Sequence, residues 1–86
     1  MKTDKKKIKI EIIKFLKKKN PIFLKLKKIP ENKSLLKLGY LDSFGLIELI
    51  EFIEKKFKLK INDNEMNLEV FDSLNKMSSW IEKKVK

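Results

Sequence analysis

The sequence contains no cysteine, no histidine and no arginine. Without cysteine there is no disulfide staple and no thiolate chemistry of the chain's own. Without histidine there is no usual general base, no usual metal ligand and no Ser–His nucleophile pair. Acidic residues could still hold a hard metal ion, but no acidic stretch has the spacing of a calcium loop. An independent enzyme is therefore not expected. Long apolar runs are also missing: nothing approaches the ~18 residues of a membrane span. The basic N-terminus is not followed by the continuous apolar stretch of a signal segment. The expectation is one cytoplasmic domain over residues 1–86. A chain this short buries only about 60% of its unfolded surface, so the core must be small.

What the sequence has in excess is lysine. All 22 basic residues are lysine, against 12 acids, for a net charge of +10. The excess is unevenly placed. Residues 1–37 hold 14 Lys against Asp4, Glu11 and Glu31, net +11. Residues 38–86 hold 8 Lys against 9 acids, net −1. Within Leu38–Asp72 the balance is 8 acids to 4 Lys.

Apolar spacing predicts helices. Ile8, Ile12, Phe15 and Leu16 form one stripe, and Asn20-Pro21 ends it, giving a helix over about 4–19. Residues 20–41 show no sustained period yet carry Ile22, Phe23, Leu24, Leu26, Ile29, Leu35, Leu36 and Leu38. They read as an ordered loop laid over the core, with room for a short helical turn. Ile22–Leu26 has strand character but no evident strand partner. Leu46, Ile47, Leu49, Ile50, Ile53 and Phe57 give the strongest helical pattern, from about Ser43 to Phe57. Asn62-Asp63-Asn64 offers caps for a short helix around Glu65–Phe71. Asp72 or Ser73 caps a last helix with Leu74, Met77, Trp80, Ile81 and Val85 inward. The fold class is thus all-α: a small four-helix bundle, three helices longer and one short, with a long first loop.

The candidate site is Gly39-Tyr40-Leu41-Asp42-Ser43-Phe44-Gly45-Leu46-Ile47-Glu48-Leu49. A serine beside a carboxylate stands at the mouth of the best helix. For an isolated Asp-Ser, simple helix capping is the stronger reading. No capping box supports it, because the residues three further on are Gly45 and Leu46.

The longer pattern resembles the attachment site of phosphopantetheine-binding acyl carrier proteins. In that family Asp-Ser is followed by Leu, Met or Phe and then by an apolar helix bearing glutamates. The resemblance runs from Gly39 through Phe57, more weakly through Ile61–Phe71 and into the last helix. It implies that Ser43 receives 4′-phosphopantetheine, as a phosphodiester, from a separate phosphopantetheinyl transferase. It implies that Asp42 helps to place that transferase's metal ion. The arm's thiol would carry an acyl group as a thioester, which a chain without cysteine cannot do alone. Glu48, Glu51 and Glu54 would steer the carrier onto basic patches of loading ligases and acyl-transferring enzymes. Ile47 would offer an apolar contact beside the arm, and Phe44 would pack under the first loop. Core packing is the competing reading for both. A monomer is expected.

Two departures bear on cargo. Lys55 and Lys56 stand where fatty-acid carriers are often acidic. One extra residue separates Leu38-Gly39 from Asp42-Ser43, a local form similar to D-alanyl carrier proteins, so an aminoacyl carrier is the alternative. Glu65–Phe71 shares that likeness. Other classes are weaker. The lysine-rich first helix could bind nucleic acid by counterion release, but arginine is absent and no recognition helix presents base-reading Asn, Gln or Arg. Its basic amphipathic form also permits membrane-surface binding, although the inward stripe is only wide enough to serve the core.

Overall fold

The first helix starts where a carboxylate meets free amides. Asp4 takes an extended backbone and its side chain accepts from the Lys7 N–H at 2.8 Å. Helix α1, Lys5–Lys19, follows and buries Ile8, Ile12 and Leu16. Its first amide, Lys5 N–H, donates to Glu82 Oε2 at 3.1 Å, so a distant carboxylate also caps it. The helix stops at Asn20, which Pro21 forces out of the α region. The computed structural model describes residues 4–62 and 71–85.

The strand character of Ile22–Leu26 is not realised. Pro21 sits at φ −59° and starts a one-turn helix, α2, Ile22–Lys25. Asn20 holds that turn: its Oδ1 accepts from Ile22 N–H at 3.2 Å, and its carbonyl accepts from Phe23 N–H at 3.1 Å. With no strand to pair, the local cap decides the conformation. Phe23 is fully buried.

The rest of the first loop is ordered, as its apolar content suggests. Ile29, Leu35 and Leu41 are buried. Leu35 N–H donates to the Asp72 carbonyl at 3.0 Å and Leu36 N–H to Asp72 Oδ1 at 3.3 Å. Asn75 N–H donates to the Glu31 carbonyl at 2.8 Å. The loop is thereby tied to the start of the last helix. Gly39, at φ +80°, lets it turn back toward Tyr40 and Leu41.

Helix α3, Ser43–Phe57, buries Leu46, Leu49, Ile50 and Ile53. It ends at Lys58, in the left-handed region at φ 53°. Helix α4, Leu74–Val85, buries Leu74, Met77 and Ile81. Ser73 Oγ accepts from Lys76 N–H at 3.2 Å, so Ser73 supplies the cap. The core lies where these stripes meet, with Phe71 set edge-on to Trp80 at 5.1 Å. Among the described residues every regular element is helical, and no helix is long and apolar enough to cross a membrane. The all-α, four-helix expectation holds. The short helix described, however, lies in the first loop; the one expected around Glu65–Phe71 lies, apart from Phe71, outside the described residues.

Candidate functional site

Ser43 is the first residue of α3, and Asp42 is its N-cap. Asp42 Oδ1 accepts from Gly45 N–H at 2.7 Å, and the Asp42 carbonyl accepts from Leu46 N–H at 2.9 Å. The carboxylate therefore takes the third amide of the helix. The amides of Ser43 and Phe44 have no acceptor among the described residues. Two free N–H groups and the positive end of the helix dipole thus lie beside an exposed hydroxyl. An anionic phosphate ester on Ser43 fits that setting.

The turn is built for close approach. A Cβ on Gly45 would lie 3.0 Å from Leu41 Cδ1 and 3.2 Å from Asp42 Oδ1. Glycine lets the capping carboxylate and the Leu41 side chain sit against the helix. Leu41 is buried, and its N–H donates to the Leu35 carbonyl at 3.2 Å. Tyr40 N–H shares that acceptor at 3.0 Å. The turn before α3 is therefore anchored through Leu35 to the α4 end of the bundle.

The apolar neighbours of Ser43 stay out of the core. Phe44 is 69% exposed and Ile47 is 54% exposed. The core-packing reading fails for both. Phe44 does meet the first loop, since it lines a cleft of about 260 Å³ with Tyr40, Phe23, Asn20, Lys19 and Glu48, but it is not covered by that loop.

The three glutamates of α3 differ in their surroundings. Glu48 is half-buried and lies 3.5 Å from Lys19 Nζ at the end of α1. Glu51 is exposed. Glu54 is half-buried, and its Oε2 accepts from Ile61 N–H at 2.9 Å. The Glu54 carbonyl also accepts from Lys58 N–H and from Leu59 N–H. Glu54 thus closes the C-terminal end of α3. Lys19 and Asn20 were not legible as site residues. Asn20 Nδ2 donates to the Tyr40 carbonyl at 3.1 Å and joins the end of α1 to the turn before α3. Their partners lie twenty or more positions away, and no sequence spacing signals such contacts. Among the described residues no group of acidic side chains is arranged to hold a metal.

The sequence pattern of one family, described as the phosphopantetheine attachment site, matches residues 23–81. That span covers well over half of the chain and includes the Asp42-Ser43 turn, α3 and most of α4. No curated protein and no solved structure matches significantly.

Proposed function

Since the chain belongs to the phosphopantetheine attachment-site family, as the match over residues 23–81 establishes, we propose that it carries an acyl group as a thioester on an arm joined to Ser43. The carrier delivers that group between biosynthetic enzymes. The observation that supports Ser43 as the attachment point is its place at the mouth of α3. Its hydroxyl is exposed, two amides beside it are open, and Asp42 holds the turn.

The residues divide the work by position. Ser43 supplies the oxygen that becomes the ester. It needs no activated pKa, because the transferase brings its own base. The open amides of Ser43 and Phe44 stabilise the resulting phosphodiester charge. Asp42, with its second oxygen free of any contact named above, helps to place the transferase's metal ion. The bound arm supplies a terminal thiol, the nucleophile and leaving group that this chain lacks. Phe44 and Ile47 form an exposed apolar edge beside Ser43 for enzymes to grip. Glu51, and Glu48 once released from Lys19, orient basic partners. Glu54 adds charge to that face while it holds Ile61.

Aminoacyl cargo is the second reading. It is favoured by the extra residue before Asp42-Ser43, which the left-handed Gly39 accommodates in the turn. The carrier reading is tested by incubating the protein with coenzyme A, magnesium and a broad-specificity transferase, then measuring intact mass. One arm is expected, and Ser43→Ala should remove it. No gain with several transferases would overturn the assignment. Offering the holo form to acyl and D-alanyl ligases then separates the two cargoes.

A further inference from the structure

The outer face of α1 is unused by the fold. In helical projection Lys6, Lys7, Ile10, Lys14, Lys17 and Lys18 share a sector of about 120°, opposite the buried Ile8, Ile12 and Leu16. All six are exposed, Ile10 at 43%. Helix α3 meets α1 along a different flank, where Glu11 faces Lys56, Phe15 stacks on Phe52 and Lys19 faces Glu48. Just beyond α1, the α2 corner adds Lys25 and Lys27 and projects Ile22 and Leu24, the latter 66% exposed. The two sets adjoin, because Lys17 lines one groove with Lys27 and Lys28.

Most of the charge on this surface lacks an internal partner; among the described residues Lys14 pairs with Glu11 at 3.9 Å. Segment 5–28 holds eleven lysines and one acid, Glu11. Lys6, Lys7, Lys17, Lys18, Lys25 and Lys27 make no ion pair among the described residues. The apolar side chains among them face water.

We propose that this face docks the carrier on an anionic lipid bilayer surface. A laterally continuous, fluid anionic plane complements a convex lysine face without requiring a fixed acceptor geometry. Lysine stems cover apolar surface while their ammonium groups reach lipid phosphates. Ile10, Ile22 and Leu24 enter the headgroup boundary, which nucleic-acid phosphates do not offer. Nucleic acid is further disfavoured by the absence of arginine and of base-reading side chains on this face. The proposal is independent of the carrier reading.

The test is flotation of the full chain with vesicles of phosphatidylcholine alone or mixed with phosphatidylglycerol. Binding is expected only to the anionic vesicles and should fall as salt rises. Each lysine near such a surface contributes about fivefold, so K17E/K18E should lose roughly twenty-five-fold or more. Lys55→Glu/Lys60→Glu makes the same change in net charge elsewhere on exposed residues and should lose far less. Leu24→Ala should weaken the binding that survives at raised salt. Ser43→Ala should bind like the native chain, which separates this outcome from the carrier test. The proposal is overturned by no binding to anionic vesicles at moderate salt, by equal binding to neutral ones, or by equal losses in the two charge-reversed pairs. Capture of DNA or of an acidic protein without vesicle binding would overturn it as well. Should K17E/K18E not fold, the salt titration and Leu24→Ala still decide the matter.

Discussion

Asp42 has two separable duties, and a pair of substitutions can pull them apart. As the cap of α3 it accepts Gly45 N–H at 2.7 Å, a charge-assisted bond. As a carboxylate beside Ser43 it is proposed to help place the transferase's metal. Asp42→Ala removes both. Loss of the cap should cost about 1–2 kcal/mol. For a domain of this size that lowers Tm by roughly 4–8 °C per kcal/mol. Asp42→Asn keeps an acceptor oxygen at the same place and loses only the charge. Asn caps as well as Asp, so the cost shrinks to the dipole contribution, about 0.3–1 kcal/mol. Modification should respond differently. An amide is a poor metal partner, so both variants should receive the arm about tenfold more slowly or worse. Urea unfolding followed by far-ultraviolet circular dichroism gives the stability order; timed intact-mass measurements give the modification rate. Asn near native in stability but close to Ala in rate is the expected pattern. Native-rate modification of Asp42→Asn would refute the metal-placing role. Native stability of Asp42→Ala would refute the capping argument.

The backbone makes opposite predictions at two positions. Lys58 carries a side chain at φ 53°, so Lys58→Gly should stabilise by up to about 1 kcal/mol; Gly39, at φ +80° in open space, should cost about 1–2 kcal/mol as Ala, both read from urea midpoints. Glu48→Lys faces Lys19 with a like charge on a half-exposed surface; it should slow loading or transfer by partner enzymes while leaving the unfolding midpoint within about 1 kcal/mol of native. Unchanged rates with every partner would remove Glu48 from the docking face. Glu31 is held below its ordinary value of 4.5, first by the hydrogen bond from Lys9 and then by that ammonium's charge. A depressed carboxyl stabilises the fold above its unfolded pKa and loses that contribution as pH falls through the lowered folded value. Stability should therefore decline on acidification below about pH 5, and Glu31→Gln should flatten part of that decline in pH-dependent unfolding. The pair is half-exposed, so the effect should stay within about 1 kcal/mol.

The legible parts of this molecule are those set by near neighbours in sequence. The stripe Ile8, Ile12, Leu16 and the run Leu46–Ile53 carry their own periodicity, and the observed helices begin and end within a residue or so of the expected ones. The Asp-Ser turn was legible for the same reason: cap, serine and apolar helix are contiguous. The first loop was readable only as ordered. Its path depends on bonds from Leu35 and Leu36 to Asp72, and such pairings leave no periodic trace. Ile22–Leu26 shows strand composition, yet Pro21 and the Asn20 cap make it a helical turn. The inward stripe of α1 reads as only wide enough to serve the core, and the apolar residues of the first loop read as laid over it, whereas Ile22, Leu24 and Leu38 are exposed. Ile10, which the stripe does not include, is exposed as well.

The two bonds that Asp72 accepts also set how the turn before Ser43 can fluctuate. Residues thirty-six and more positions apart are latched into one cooperative opening unit. Leu35 holds Tyr40 and Leu41, and those lead directly into Asp42 and Ser43. The first loop therefore cannot peel away alone without breaking its hold on the start of α4. If Ser43 carries the proposed arm, it can sit on an exposed turn and still give that arm a defined origin, because the stiffness of the turn is borrowed from the far end of the chain.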